Sequence, residues 1–232
     1  MNRTKTMESE WLACFARMQQ GEFFQLMRSG ELRLDHYTAF LAETYHNTAQ
    51  NPKTMALFMA HLQGGPRALE AKFTKHTAME IGHDELALDD LRHLGVDPEP
   101  VRNGRPMPVT EALAAFIVFQ IQHRNPAAYL GYLYHLEALP IHAGGSILAT
   151  LAKMGVPDSA TSFLREHAEA DLVHVKWNRE YLEGFIRTES DLEAAVYGLR
   201  GTCELHGLMF SGILERCRDW KPAPAQDSVP SR

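Results

Sequence analysis

The chain is poor in cysteine, holding Cys14, Cys203 and Cys217 and no more, with no Cys-x-x-Cys pair among them. An odd number without paired spacing fits a reducing compartment better than a secreted disulfide framework. Long hydrophobic runs are also missing. No uninterrupted stretch of about 20 apolar residues could span a bilayer, and the first residues lack the apolar segment of a signal peptide, so a cytoplasmic location and no membrane partner are expected. Like charges are not blocked together either. With a net charge of −6 and 22% charged residues spread along the sequence, nothing marks a nucleic-acid surface. A small-molecule substrate is the expected partner. Finally, no segment alternates with the period of a strand, no hairpin dipeptide separates two such segments, and no internal repeat is present.

What is present reads as helix throughout. From Glu8 to Arg28 apolar residues recur at helical spacing up to Ser29-Gly30. A second helix opens at Leu34-Asp35 and ends before Asn51-Pro52; a short third covers Lys53 to Leu62, closed by Gly64-Gly65. Pro66 starts a long polar fourth helix to about Leu94. Thr110 caps Glu111 to His123, which is apolar nearly all round and therefore expected inside. Ala127 to Met154 reads as one or two helices, with Pro140 predicting a kink near Leu136 and Glu137. Asp158 or Ser159 caps a helix to about Phe185, and Glu189 to Arg218 forms the last. The expectation is a single-domain, all-α bundle of about eight helices over residues 1–220, with a proline-rich, disordered tail over 221–232. The apolar first and last helices are compatible with a homodimer.

Four stretches carry ligand-type side chains. His167, Asp171 and His174 are spaced four and three apart, which puts all three on one helical face. His76, Glu80 and His83 repeat that spacing, and Glu-x-x-His at i, i+3 is an arrangement used by carboxylate-bridged di-metal bundles. Imidazoles and carboxylates together suit iron, manganese or zinc. The competing reading for both stretches is an ordinary solvated polar face. Glu137 stands in a run that is otherwise apolar and aromatic, where a carboxylate needs a metal or a basic partner such as Arg124 or Arg165. Glu43 and His46 share a face of the second helix; Glu43 is a further candidate ligand, and His46 ranks below it. His135 points away from Glu137 and reads as a structural or pocket histidine, while His206 and the other scattered histidines read as surface or core-filling. Tyr129, Tyr132, Tyr134 and Phe163 belong either to the core or to a pocket wall.

With Glu80/His83, Glu137 and His167/Asp171/His174 in chain order, the sequence resembles the haem-oxygenase-like di-iron oxidases and oxygenases from about Leu34 to Phe185. The segments that carry the likeness are His167-x3-Asp171-x2-His174, Tyr134-His-Leu-Glu137, and Glu80-Ile-Gly-His83 followed by Leu91-Arg-His-Leu-Gly95. The resemblance implies an all-α bundle shared with haem oxygenase and the thiamin-degrading proteins. It implies two ferrous ions per chain, dioxygen as co-substrate, and N-oxygenation, oxidative C–C cleavage or decarboxylation of a small molecule. By position it implies His83, Glu137, His167, Asp171 and His174 as ligands, with Glu137 as bridge and catalytic carboxylate. Either Glu80 or His76 supplies the remaining ligand, since some members carry a carboxylate seven residues before the histidine, where this chain has His76. Glu43 is the best-placed carboxylate on the preceding helix. Two other readings stand beside it: a non-catalytic helical binding protein that uses these clusters as buried ion pairs, and a metal-free or haem-processing relative of the same fold.

Overall fold

In the computed structural model, residues 2–218 are described, with the side chains of 169–172 outside the description; the expected tail over 221–232 also lies outside it. Among the described residues the chain is helical and without strands. The helices are α1 (Arg3–Met18), α2 (Glu22–Ser29), α3 (Leu34–Thr48), α4 (Asn51–His61), α5 (Arg67–Met79), α6 (His83–His93), the single turn α7 (Glu99–Arg102), α8 (Pro108–His123), α9 (Ala128–Lys153), α10 (Ser162–Phe185) and α11 (Glu189–Arg216). None of them is long and apolar enough to cross a membrane.

Two expected helices are each divided in two. Residues 8–28 fall into α1 and α2, and the long polar helix from Pro66 to Leu94 breaks between α5 and α6. Gly82 makes the second break, adopting φ 96°, a left-handed conformation that glycine alone enters without steric cost. By contrast, α9 runs continuously from Ala128 to Lys153 with Pro140 inside it, one helix where one or two were expected.

The ends of these helices are tied to distant elements. Asp35 and Arg33 pair at the start of α3, and the Arg33 guanidinium also donates to the Cys217 carbonyl after α11. Glu43 accepts from the Met107 N–H at 3.0 Å and from the Thr110 hydroxyl at 2.6 Å, so the start of α8 is capped from α3 rather than by Thr110 itself. Asp90 caps α10 in the same manner, and Thr188 and Asp191 form a capping box at α11.

The centre of the bundle is α9, packed between α10 and α11. Close approach of α9 and α11 depends on glycine: a Cβ on Gly131 would fall 1.9 Å from the Ala195 carbonyl oxygen, and one on Gly198 would fall 2.1 Å from that of Ala128. Around this axis Trp11, Tyr37, Phe58, Phe73, Tyr129, Tyr132 and Tyr181 are fully buried. Burial of such large side chains supplies most of the favourable free energy of a fold of this kind, about 25 cal/mol per Å² of apolar surface.

Candidate metal centre

Four elements converge on a buried group of imidazoles and carboxylates. The end of α5 brings His76 and its C-cap residue Glu80, α6 begins with His83, the middle of α9 brings Glu137, and α10 brings His167 and His174. Potential ligand atoms of His76, Glu80, Glu137 and His174 lie within 4.8 Å of one another, and so do those of Glu80, His83 and His167. The turn at Gly82 is what separates these sets. On one unbroken helix His76, Glu80 and His83 would share a face; with the helix broken at Gly82, His83 lies instead against His167, their rings meeting edge to face at 5.0 Å.

Glu80 belongs to both sets. Its Oε1 lies 3.6 Å from His76 Nε2 and 3.6 Å from His174 Nδ1, while its Oε2 lies 3.8 Å from His83 Nδ1. Glu137 sits in the first set only, with Oε1 3.2 Å from His76 Nε2 and Oε2 3.3 Å from His174 Nδ1. Among the described residues the carboxylate that spans the two sets is therefore Glu80, whereas the resemblance put the bridge at Glu137. Asp171, expected on the same face of α10, is one of the residues whose side chains lie outside the description.

The electrostatics keep these carboxylates ionised. Burial would raise the Glu137 carboxyl, but the imidazoles of His174 and His76 hold it well below the usual carboxylate range. Glu80 is likewise lowered, burial being outweighed by His76 and His83. His76 moves the other way, raised by the same two carboxylates against its burial. Burial pushes the His167 imidazole down, toward the neutral form a metal requires.

Neighbours fix the orientation of the ligand atoms. His167 Nδ1 lies 2.7 Å from the Phe163 carbonyl, the i−4 position, so it carries the proton and leaves Nε2 for the centre. His76 Nδ1 meets the Tyr181 hydroxyl at 3.5 Å. Asn51 Nδ2 donates to Glu80 Oε2 at 3.2 Å, and Trp177 covers the rings of His76 and His174. None of Asn51, Tyr181 and Trp177 stood out in the sequence, because a single Asn, Tyr or Trp carries no spacing signal. Despite their buried positions, His76 Nε2 and His83 Nδ1 make no hydrogen bond. Orphaned nitrogens pointing at carboxylates 3.2–3.8 Å away are the arrangement expected where a cation belongs.

Two expectations are corrected by this geometry. Glu43 is not in either set; its carboxylate is consumed by the start of α8 and by Arg216, whose guanidinium lies 3.1 Å away. The basic partner considered for Glu137 is absent from its described contacts, and Arg165 pairs with Asp158 instead.

A cavity of about 90 Å³ opens beside Glu80, Glu137 and His167. One wall is the polar face of α3 and the start of α4, with Thr44, Asn47, Thr48 and Asn51; another is apolar, with Leu139, Ala143 and Ile147 of α9; Phe24, Phe40 and Phe210 close it. Of the four aromatic residues left between core and pocket wall, Phe163 lines the cavity, and Tyr129, Tyr132 and Tyr134 are buried away from it. His206 also reaches this cavity, its imidazole lowered by burial to about 4.

Comparison with solved structures shows that this all-α bundle has a haem-oxygenase-like fold. The chain superposes with TM-score 0.85 on a domain of unknown function with a heme oxygenase-like fold from Shewanella denitrificans, 23% identical over 93% of each chain. It superposes with TM-score 0.76 on a TenA homologue from Pseudomonas syringae, 14% identical, covering 91% of this chain and 92% of that one. Heme oxygenase-1 from the cyanobacterium Synechocystis, solved with heme, gives TM-score 0.70 at 12% identity, covering 93% and 96%. No curated protein matches the sequence. The model of the iron-containing redox enzyme family matches residues 38–207, so the chain belongs to that family.

Proposed function

We propose that this protein is a non-haem di-iron oxidase or oxygenase that uses dioxygen to oxidise a small molecule, by N-oxygenation, oxidative C–C cleavage or decarboxylation. The observation that carries the reading is Glu80, one buried carboxylate with each oxygen facing a separate set of histidines. A mixed imidazole and carboxylate set of this kind suits iron, and membership of an iron-containing redox family agrees with it.

Iron bound at these residues would supply dioxygen activation and the electrons that dioxygen consumes. The chain's own part is positioning and exclusion of water. His76, Glu80, Glu137 and His174 form one ligand set; Glu80, His83 and His167 form the other. Asn51 holds the Glu80 carboxylate by its Oε2, and the Phe163 carbonyl holds the His167 ring in one tautomer. Glu137, kept ionised by His174 and His76 and lining the cavity, would serve as a carboxylate ligand to the metal beside it. The apolar walls of the cavity keep bulk water away from the reacting atoms.

Loading the protein anaerobically with ferrous iron and measuring metal by mass spectrometry tests this directly. Near two irons per chain, with a transient visible band on admitting oxygen, is the expected result. No retained iron would remove the reading and leave a binding protein or a metal-free relative.

A further inference from the structure

A chain of hydrogen bonds fixes which nitrogen of His206 carries its proton. The Trp11 indole N–H, which can only donate, lies 3.2 Å from His135 Nδ1 and donates to it. His135 Nδ1 is therefore bare, and its proton is on Nε2. That Nε2 lies 3.0 Å from His206 Nδ1, so the His135 N–H donates and His206 Nδ1 accepts. His206 must then be the Nε2–H tautomer. An imidazolium at either position would set two N–H groups against each other. The Cys203 thiol, 3.1 Å from His135 Nδ1, fits the same assignment as a second, weaker donor to that nitrogen. The His206 ring is held in plane by Phe210, stacked at 4.9 Å with the two rings 6° apart.

No protein group among the described residues bonds to His206 Nε2, and His206 is part of the cavity wall. The other lining residues give that donor its context. Among the described residues no lysine or arginine lines the cavity, and the carboxylates that line it are those of Glu80 and Glu137 at the metal end. Away from that end the described walls are aromatic and aliphatic, with only the neutral Thr44, Asn47, Thr48 and Asn51 to offer polar contacts, so an anionic group there would meet no cation.

We propose that His206 is a substrate-recognition residue that presents an Nε2–H donor to the cavity, and that the cavity takes a largely apolar, neutral molecule with an oxygen acceptor such as a ketone, ester or hydroxyl. The proposal rests on the cavity being the substrate site of the metal centre, and its test is separable from the test of that centre.

The tautomer is read by long-range ¹H–¹⁵N correlation on the full-length, zinc-loaded protein labelled with ¹⁵N-histidine, since zinc is diamagnetic. The expected pattern is a bare Nδ1 and a protonated Nε2 for both His135 and His206, with the Trp11→Phe variant giving a tautomer mixture. Recognition is read with two probes of similar shape, cyclohexanone and methylcyclohexane, in titrations of the same sample. Cyclohexanone is expected to move the His206 Hε2 resonance and to bind about three- to tenfold more tightly, the worth of one hydrogen bond. His206→Gln, whose carboxamide keeps a donor, should retain that preference; His206→Phe should lose it, with the metal content of both variants unchanged. A proton on Nδ1, an imidazolium, or equal or undetectable binding of the two probes would overturn the proposal. Preference with no metal bound would sink the di-iron reading and spare this one; normal iron loading without preference would do the reverse.

Discussion

The Asp90 carboxylate on α6 accepts both the backbone N–H of Ser162, at 2.8 Å, and the Ser162 hydroxyl, at 2.6 Å, while its other oxygen accepts the Phe163 N–H at 3.0 Å. Asp90 is fully buried, and it joins the helix that begins with His83 to the helix that carries His167 and His174. Asp90→Ala removes three hydrogen bonds and leaves buried donors at the start of α10, and is expected to cost about 2–4 kcal/mol in chemical denaturation. Ser162→Ala should cost about 1 kcal/mol. Because α6 and α10 lose their tie, the Asp90 variant should also hold less metal than wild type, whereas a variant with lower stability and full metal would show that other contacts keep the helices in place.

Two glycines of α9 are expected to respond in opposite directions to the same substitution. Gly131 faces the Ala195 backbone of α11, so Gly131→Ala forces the central helices apart and should destabilise by about 1–3 kcal/mol. Gly145 has nothing within 4 Å of where its Cβ would stand, so Gly145→Ala should stabilise by up to about 1 kcal/mol through helix propensity alone. Thermal denaturation of both variants decides it; equal shifts would mean that the α9–α11 contact is looser than drawn.

The fold class and most of the centre could be read from spacing, since helical periodicity and i, i+3 and i, i+4 pairs are local properties. His76, Glu80, His83, Glu137, His167 and His174, all singled out in the sequence, come together. Which set each joins was not legible, because that depends on Gly82 taking a left-handed turn, and a glycine inside a polar helical pattern gives no sign of whether it will bend or pack. Glu43 shows the opposite limit. Its spacing to His46 looks like a ligand pair, yet its partners are the start of α8 and Arg216, which lies 173 residues away. His206 looked isolated for the same reason, its partner His135 being 71 residues distant.

Asp191 gives a pH dependence that can be isolated. Burial would raise its pKa, but the Asn125 amide and the backbone N–H groups of Arg187 and Thr188 more than offset this and hold it below 3.8. A carboxylate depressed in the folded state contributes stability that is fully present above its unfolded pKa and is lost as pH falls through the folded one. The stability gap between wild type and Asp191→Asn should therefore be constant near neutral pH and close only below pH 3.8. Denaturation midpoints of the two proteins from pH 7 downward measure it, and a gap that stays open in strong acid would assign the effect to packing.

Because Glu80 faces both histidine sets and its neighbours face one each, substitutions at the centre should differ in how much metal they release. Glu80→Ala is expected to lose both ions, Glu137→Ala chiefly the ion of the His76 and His174 set, and His167→Ala chiefly that of the His83 set. Glu43→Gln is the control: it removes a cap and an ion pair, costing about 1–3 kcal/mol, with no loss of metal. Chelation should lower stability in step with stoichiometry, by about 2.7 kcal/mol for each ion present at 100 times its dissociation constant. Metal per chain across the four variants reads the arrangement directly. If Glu137→Ala emptied the centre and Glu80→Ala kept one ion, the shared carboxylate would be Glu137, and the two oxygens of Glu80 would be serving a single site.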